Sequence, residues 1–277
     1  MGLQEHVFAY RDCCLSVHES RPFKAGSRLV PVFLHGRFGD ALLWAMSSAF
    51  QQIRPHYRCL LLDLPGYGRS FMSDPDEALA LSWLEIRDML VELLAARLEP
   101  GEQAVLVGHD LGAVVAQFTS LVAPPVIGGL VLTGSRSLFD ESGFALRFLR
   151  YRRWQLLRAS PGLSRAHRRG ILDAPIPLSL IRGLERSWPG RYERLALRKQ
   201  ARKLSAPVLL LWGKQDRLTP PEHGFHLANA FGDARYLEHE EGGHWSFLDQ
   251  DAWFATKLSE FLFHLDLVSS VRWGKSS

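Results

Sequence analysis

The residues with the clearest chemical potential are Gly108-His109-Asp110-Leu111-Gly112, which end an apolar run. The residues before them, 104–107, are typical of a buried strand, and the small residues after them are typical of a helix. A strand-to-helix turn this sharp strains the backbone at its central residue and tolerates only small neighbours. Asp110 is therefore predicted to project into a cleft. A carboxylate there attacks saturated carbon well but gains little by attacking an ester carbonyl.

Three other segments supply groups that such a nucleophile needs. An apolar strand ends at His35-Gly36, where the N–H of Arg37 can point at a developing oxyanion. Asp216 follows the apolar residues 207–212, and His244 lies in a glycine-containing loop after a further strand. Each segment alone has an ordinary alternative, as a strand exit, a turn or a loop histidine. Because they follow the order nucleophile, acid, histidine and each comes at the end of a strand, together they favour a catalytic set.

With these motifs the chain resembles the α/β-hydrolase superfamily, from about residue 25 to about residue 265. The loop Asp-Leu-Pro-Gly-Tyr-Gly-Arg-Ser at 63–70, common in that superfamily, strengthens the resemblance. An Asp in Gly-His-Asp-x-Gly resembles the epoxide hydrolases, haloalkane dehalogenases and haloacetate dehalogenases. The resemblance implies that Asp110 attacks the substrate, that His244 activates water to hydrolyse the alkyl-enzyme ester, and that Asp216 orients His244.

The residue after the nucleophile separates these subfamilies. The resemblance implies an oxyanion hole made of the backbone N–H groups of Arg37 and Leu111. Haloalkane dehalogenases usually have Trp at the position of Leu111. Haloacetate dehalogenases have an Arg at that position, which grips the substrate carboxylate. In this chain, Arg37 is the residue that could grip a carboxylate. Epoxide hydrolases need an acid for the ring oxygen, commonly two tyrosines of the cap. Tyr151 and Tyr192 are the tyrosines of the corresponding segment, and packing is their ordinary alternative.

Several functions stay open from the sequence. We expect an epoxide hydrolase-like enzyme, with a haloacid or haloalkane dehalogenase as the alternative. A non-catalytic or repurposed binding protein is a further alternative, because Gly-His-Ser-Leu-Gly is the common serine form of this motif. General-base catalysis by Asp110 without a covalent step is also open. The other candidates for substrate binding are His35, His109, Trp154 and Trp245.

Strands that alternate with helices predict an α/β fold, with a mostly parallel sheet flanked by helices and a helical cap insertion. The predicted domains are a first core part at 1–135, a basic helical cap at 136–205 and a second core part at 206–277. The predicted strands lie near 7–18, 29–34, 57–62, 104–108, 128–133, 207–212 and 234–239. The clearest predicted helices are Leu81–Leu98, Ala113–Val122 and Ala252–Leu265.

The predicted cap is strongly basic. Residues 141–203 contain 16 Arg or Lys and 4 Asp or Glu, a net charge of +12 against +4 for the whole chain. The stretch 144–158 interleaves aromatic residues, leucines and arginines. This pattern has three interpretations. The first is a helix that packs on the body of the protein, and the second is a lid that attracts an anionic substrate or an acidic carrier such as acyl carrier protein. The third is a membrane-surface helix for a lipid-like substrate. Nucleic acid is not expected, because no binding motif accompanies the charge.

Composition limits the class of protein further. A chain of 277 residues that is 47% hydrophobic can bury a large core without disulfides. Three cysteines suit a reducing compartment, and no signal peptide or membrane span is recognisable, so a cytoplasmic location is expected. No metal-ligand spacing is visible, so the expected reaction uses a small-molecule substrate and no metal or cofactor.

Overall fold

The computed structural model of the protein describes residues 2–22, 26–72, 81–139, 160, 163–173 and 178–273. Within these residues one sheet has the strand order β1-β2-β4-β3-β6-β7-β8-β9, and β5 pairs with β2. The strands from β4 to β9 along this order are parallel, whereas β1, β2 and β5 pair antiparallel. The strands are β1 (Gln4–Tyr10), β2 (Cys13–Ser20), β3 (Leu29–Leu34), β4 (Cys59–Leu62), β5 (Phe71–Met72), β6 (Gln103–His109), β7 (Ile127–Thr133), β8 (Val208–Gly213) and β9 (Ala234–His239).

Helices cover both faces of the sheet. Leu93 of α3 and Phe118 of α4 are buried on one face, and Phe50 of α2 and Phe254 of α10 are buried on the other. The central strands are apolar throughout because both of their faces are covered. The helices are α1 (Ala41–Ala45), α2 (Ser48–Ile53), α3 (Trp83–Arg97), α4 (Leu111–Val122), α5 (Arg165–Asp173), α6 (Leu178–Arg186), α7 (Arg191–Ala201), α8 (Pro221–Ala228), α9 (Ser246–Asp249) and α10 (Asp251–Trp273).

The predicted α/β fold with a mostly parallel sheet is confirmed. Six of the predicted strands occur within about two residues of their expected bounds. The first is different, because the predicted strand at 7–18 is a hairpin of two antiparallel strands. Its turn contains Arg11 in the left-handed region, at φ 50°, and has no Gly or Pro that would have marked it in the sequence.

The described part of the segment between β7 and β8 contains the three helices α5 to α7. The first turn of α3 holds α6 in place, since the indole N–H of Trp83 donates to the carbonyl of Leu184 at 2.7 Å and its backbone N–H donates to Ser187 Oγ at 3.2 Å. The division into core and cap at 136 and 205 stays a prediction. The stretch 144–158 lies outside the described residues. Among the helices that the structure describes, none is long and apolar enough to cross a membrane.

Candidate active site

Asp110 occupies the sharp turn between β6 and α4. Its backbone is in an unusual conformation for a residue with a side chain, at φ 49° and ψ −109°. A Cβ added to Gly108 would lie 2.5 Å from Ala113 Cα, and one added to Gly112 would lie 2.3 Å from the carbonyl oxygen of Leu34. The turn therefore requires both glycines. It presents the Asp110 side chain at the carboxyl end of the sheet, where it is 3% exposed.

Arg37, which follows β3, donates hydrogen bonds to both oxygens of the Asp110 carboxylate. Its Nη2 donates to Oδ1 at 2.8 Å and its Nε donates to Oδ2 at 2.9 Å. Its backbone N–H donates to the same Oδ2 at 3.0 Å. Burial alone would raise the pKa of Asp110, but the Arg37 guanidinium, with smaller contributions from His244 and His109, holds it well below the ordinary value. Asp110 is therefore ionised at neutral pH.

His244 and Asp216 form a buried hydrogen-bonded pair at the ends of β9 and β8. The Nδ1–H of His244 donates to Asp216 Oδ2 at 2.9 Å. Since Nδ1 carries the proton in this arrangement, Nε2 has the lone pair and can act as a base. Among the described residues Nε2 has no hydrogen-bond partner. Asp216 therefore fixes the orientation of the His244 ring through Nδ1, and Nε2 is available to act as a base.

A short turn after β8 fixes the Asp216 carboxylate. Oδ1 accepts the backbone N–H groups of Leu218 at 2.8 Å and Thr219 at 2.9 Å. The Thr219 hydroxyl donates to Oδ2 at 2.7 Å. Sequence reasoning did not identify Thr219, although its place three residues after Asp216 is typical of such a turn. These hydrogen bonds hold the Asp216 carboxylate in one orientation, and Asp216 in turn orients the His244 ring.

Three of the residues predicted to contact substrate, His35, His109 and Trp245, are buried. The Nε2–H of His109 donates to the His244 carbonyl at 3.1 Å, and burial lowers the pKa of His109 to about 3, so that it stays neutral. His35 donates from Nδ1 to the Gly36 carbonyl and accepts the Leu64 N–H at Nε2, which fixes the loop that carries Arg37. Trp245 is 1% exposed. None of these three residues is among those that line the cavity beside Asp110, and their contact with substrate stays a prediction.

A cavity of about 50 Å³ lies beside Asp110, between the turn and α6. Its charged lining residues within the described ranges are Arg37, Asp110, Arg136 and Glu185. The rest of the lining is apolar and comprises Trp83, Leu111, Val114, Ile181, Leu184 and Trp188. A small amphipathic molecule fits such a lining better than a fully polar or fully apolar one.

Arg136, Glu185 and Trp188 were missed by the sequence analysis. The Arg136 guanidinium lies over the Trp188 ring, 4.2 Å from its centroid. Burial raises the pKa of Glu185, and the two arginines Arg37 and Arg136 oppose that rise. No motif marks these residues, since they meet only when the β7–β8 segment folds over the turn.

Of the two tyrosines predicted as acids, the structure describes Tyr192 only. Tyr192 is 87% exposed on α7 and is not among the residues that line the cavity, and its role as proton donor stays a prediction. Tyr151 and Trp154 lie outside the described residues. Leu111 lines the cavity, and its backbone N–H at the start of α4 keeps its predicted oxyanion role as a proposal. The described ranges contain no group of three or more metal-ligating side chains.

The fold and the site together define a class of protein. Residues 32–257 match the family described as the alpha/beta hydrolase family. The chain belongs to that family, and it is a hydrolase. The predicted superfamily is thereby confirmed. The branch with an Asp nucleophile stays a proposal.

Particular relatives are esterases and hydrolases. The chain is 30% identical over 263 residues to pimeloyl-[acyl-carrier protein] methyl ester esterase of Xanthomonas oryzae pv. oryzae, covering 83% of this chain and 94% of that protein. It is 24% identical over 262 residues to 2-hydroxy-6-oxo-6-phenylhexa-2,4-dienoate hydrolase of Comamonas testosteroni, covering 80% and 84%. The crystal structure of a hydrolase from Pseudomonas aeruginosa superposes with a TM-score of 0.71 at 19% identity, covering 92% and 97%.

Proposed function

We propose that this hydrolase uses Asp110 as a nucleophile on saturated carbon and forms an alkyl-enzyme ester. The observation that carries the proposal is the position of an ionised carboxylate at the tip of the strained turn, with Oδ2 on the Arg37 backbone N–H. A carboxylate nucleophile needs one oxygen held by hydrogen-bond donors and the other directed at the substrate. Oδ2 accepts two hydrogen bonds from Arg37 and Oδ1 accepts one, so we assign Oδ1, which keeps a lone pair, as the attacking atom.

The reaction proceeds in two steps. In the first, Asp110 Oδ1 bonds to the substrate carbon while the carbon–oxygen or carbon–halogen bond breaks and its electron pair leaves with the departing atom. In the second, His244 Nε2 takes a proton from water, and the water oxygen bonds to Asp110 Cγ. Negative charge then develops on Oδ2, where the Arg37 N–H already donates at 3.0 Å. The bond between Cγ and Oδ1 then breaks, and the proton on His244 goes to the departing alkoxide. The second proton of the water leaves the Asp110 carboxyl for solvent, or returns to Glu185 in the epoxide reaction, which restores the enzyme.

Epoxide opening is the form of this reaction that we propose first. A ring oxygen leaves more easily when it is protonated, whereas a halide leaves without a proton. Glu185 is half-buried in the same cavity lining as Asp110, and burial raises its pKa, so it is the acid that we propose for the ring oxygen. The helices α5 to α7 would act as the cap that carries this acid. Dehalogenation remains the alternative that needs no such donor.

The proton donor is tested by replacing Glu185 with Gln. We expect a loss of about 100-fold or more in the rate of epoxide opening, the range for general-acid catalysis, and no change with a haloacid. Arg182→Gln on the same helix is the control, since Arg182 is exposed and does not line the cavity. An equal loss with both substrate types would assign Glu185 to packing.

Hydrolysis of an ester by water that His244 activates is the second candidate. The relatives named above favour it, since one is a methyl ester esterase that acts on an acyl-carrier-protein substrate. The exposed surface of α7 and the residues after it suits an acidic carrier, because most of its exposed side chains other than Glu193 and Gln200 are basic or apolar. These side chains are Arg191, Tyr192, Leu195, Lys199, Arg202 and Lys203.

Trapping of the ester distinguishes the two candidates. His244→Gln protein should form the ester without hydrolysing it, so we would mix it with styrene oxide, oxirane-2-carboxylate, chloroacetate and 4-nitrophenyl butyrate and record intact masses. A stable adduct that disappears in the further Asp110→Asn variant supports the proposal. The exposed His226→Gln and Asp233→Asn changes are matched controls, which should leave turnover intact. Ester turnover that depends on His244 but survives Asp110→Asn, with no adduct from any probe, would favour the second candidate.

A further inference from the structure

The loop that carries His244 has two glycines, Gly242 and Gly243, directly before the histidine. Glycine loses more backbone freedom on folding than any other residue, so such a loop can place a base precisely only if its peptide groups are held. The end of β8 holds the first glycine. A Cβ added to Gly242 would lie 2.9 Å from Gly213 Cα, and the Gly242 carbonyl accepts the Gln215 N–H at 2.8 Å. The position of the His244 ring then depends on what holds the following peptide groups.

Two side chains accept the peptide N–H groups on either side of His244. The N–H of Gly243 donates to Asp249 Oδ2 at 3.0 Å. The N–H of Trp245 donates to Ser160 Oγ at 3.1 Å. Ser160 is fully buried, and Asp249 is half-buried at the end of α9, so water competes little for these hydrogen bonds. Neither side chain takes part in the two proposed reaction steps.

Ser160 and Asp249 also act on each other. Burial raises the pKa of Asp249 to about 6, and the Ser160 hydroxyl and the Gly243 N–H oppose that rise. A hydroxyl can donate one hydrogen bond while it accepts another, so Ser160 can serve Asp249 and the Trp245 N–H at the same time. The two residues therefore hold the loop as one unit, the Ser160–Asp249 pair.

We propose that Asp249 is a positioning residue for His244 and that Ser160 completes its action. The pair fixes the peptide groups beside His244 and Asp216 fixes the ring, so that Nε2 faces the ester on Asp110. This inference rests on the proposed function, since it takes His244 to be the base. Ser160 lies 85 positions before its partner in the loop, in the segment between β7 and β8. Packing of that segment on the body would therefore help to orient the base.

The test follows the two reaction steps separately, because only the second uses His244. In single turnovers with excess enzyme, loss of the epoxide reports ester formation on Asp110, and appearance of the diol reports its hydrolysis. We expect Asp249→Ala to slow hydrolysis about 10-fold or more, since displacement of a catalytic group by about 1 Å can cost about 100-fold. Ester formation should be unchanged, so the ester should accumulate in intact-mass spectra. Asp249→Asn, which keeps an acceptor for the Gly243 N–H, should retain most of the native rate.

Two further variants complete the test. Glu241→Gln is the matched control, because it neutralises an exposed carboxylate of the same loop and should change neither step. Ser160→Ala removes the other acceptor while Asp249 stays in place, and it should slow hydrolysis in the same direction. Thermal unfolding checks that each variant is folded. Ser160→Ala and Asp249→Asn decide the question if Asp249→Ala shows no cooperative transition.

The outcomes separate this inference from the proposed function. Equal slowing of both steps would assign the Ser160–Asp249 pair to packing and overturn the inference, as would native hydrolysis rates in the folded alanine variants. Turnover of 4-nitrophenyl butyrate that loses kcat but not KM in these variants, with no label on Asp110 even in His244→Gln protein, would support the positioning role. That same outcome would refute the proposed nucleophile.

Discussion

Removal of the Arg37 charge should destabilise the protein in a way that depends on pH. Arg37→Gln leaves the Asp110 carboxylate 3% exposed and without its ion-pair partner. Breaking a buried pair in this manner typically costs about 3–5 kcal/mol, and we expect about 3 kcal/mol at pH 7 because Arg37 is partly exposed. Asn at position 110 in the same protein removes the stranded charge. The double variant should therefore recover most of the lost free energy of unfolding.

The sign of the pH dependence follows from the pKa of Asp110. In the native protein Arg37 holds this pKa below the ordinary value, so the stability it contributes is present above that ordinary value and is lost as the pH falls through the folded pKa. In Arg37→Gln, burial is left to raise the pKa. Protonation on acidification then relieves the cost, so the difference between variant and native protein shrinks as the pH falls.

Urea unfolding at pH 7 and pH 5 measures both effects, provided that different probes give coincident transitions. Native protein, both single variants and the double variant complete the cycle. A loss below about 0.5 kcal/mol for Arg37→Gln, the range of ordinary surface changes, would refute the buried ion pair. A difference that grows on acidification would refute the reasoning about the pKa.

Further predictions concern the groups around this pair. Thr219→Val removes the 2.7 Å hydrogen bond to Asp216 and should lower kcat by about 10-fold with little change in KM, which steady-state kinetics would show. Gly112→Ala places a Cβ 2.3 Å from a backbone oxygen and should prevent stable folding, seen as a lost thermal transition, whereas Gly190→Ala, whose nearest atom is at 3.6 Å, should not. His109 should show no change in its imidazole NMR shifts between pH 5 and pH 8, because its pKa is about 3; a titration in that window would contradict the buried, neutral ring.

The sequence predicted the parts of this protein that short local patterns determine. Apolar strands followed by glycines located the turn at Asp110, and the order of motifs placed Asp216 and His244 at the ends of β8 and β9, where they meet at 2.9 Å. Such features can be predicted from sequence because the carboxyl ends of parallel strands lie at one edge of the sheet. The strand at 7–18 was predicted incorrectly because the turn that interrupts it has Arg11, and not a glycine, in the left-handed conformation. The sequence therefore contains no glycine that would indicate the turn.

The charged cavity could not be predicted in the same way. The sequence analysis named Arg37 as the residue that could grip a substrate carboxylate, but its ion pair with Asp110 depends on a side-chain orientation that no pattern encodes. Glu185 and Arg136 are separated by 49 positions of chain and meet only through folding. Tyr192 was predicted from its place in the cap segment and from the resemblance to epoxide hydrolases, and neither determines how exposed its side chain is, which is 87% in the structure.

The source of the oxygen in the product tests the central claim most directly. A single turnover in H₂¹⁸O, with excess native enzyme and the epoxide that labels Asp110, is followed by mass spectrometry of the peptide that contains residue 110. If Asp110 is the nucleophile, water attacks its Cγ, so ¹⁸O enters the Asp110 carboxylate and the first product retains an enzyme oxygen. If ¹⁸O appears only in the product and none in the peptide, water attacks the substrate directly and the covalent account is contradicted.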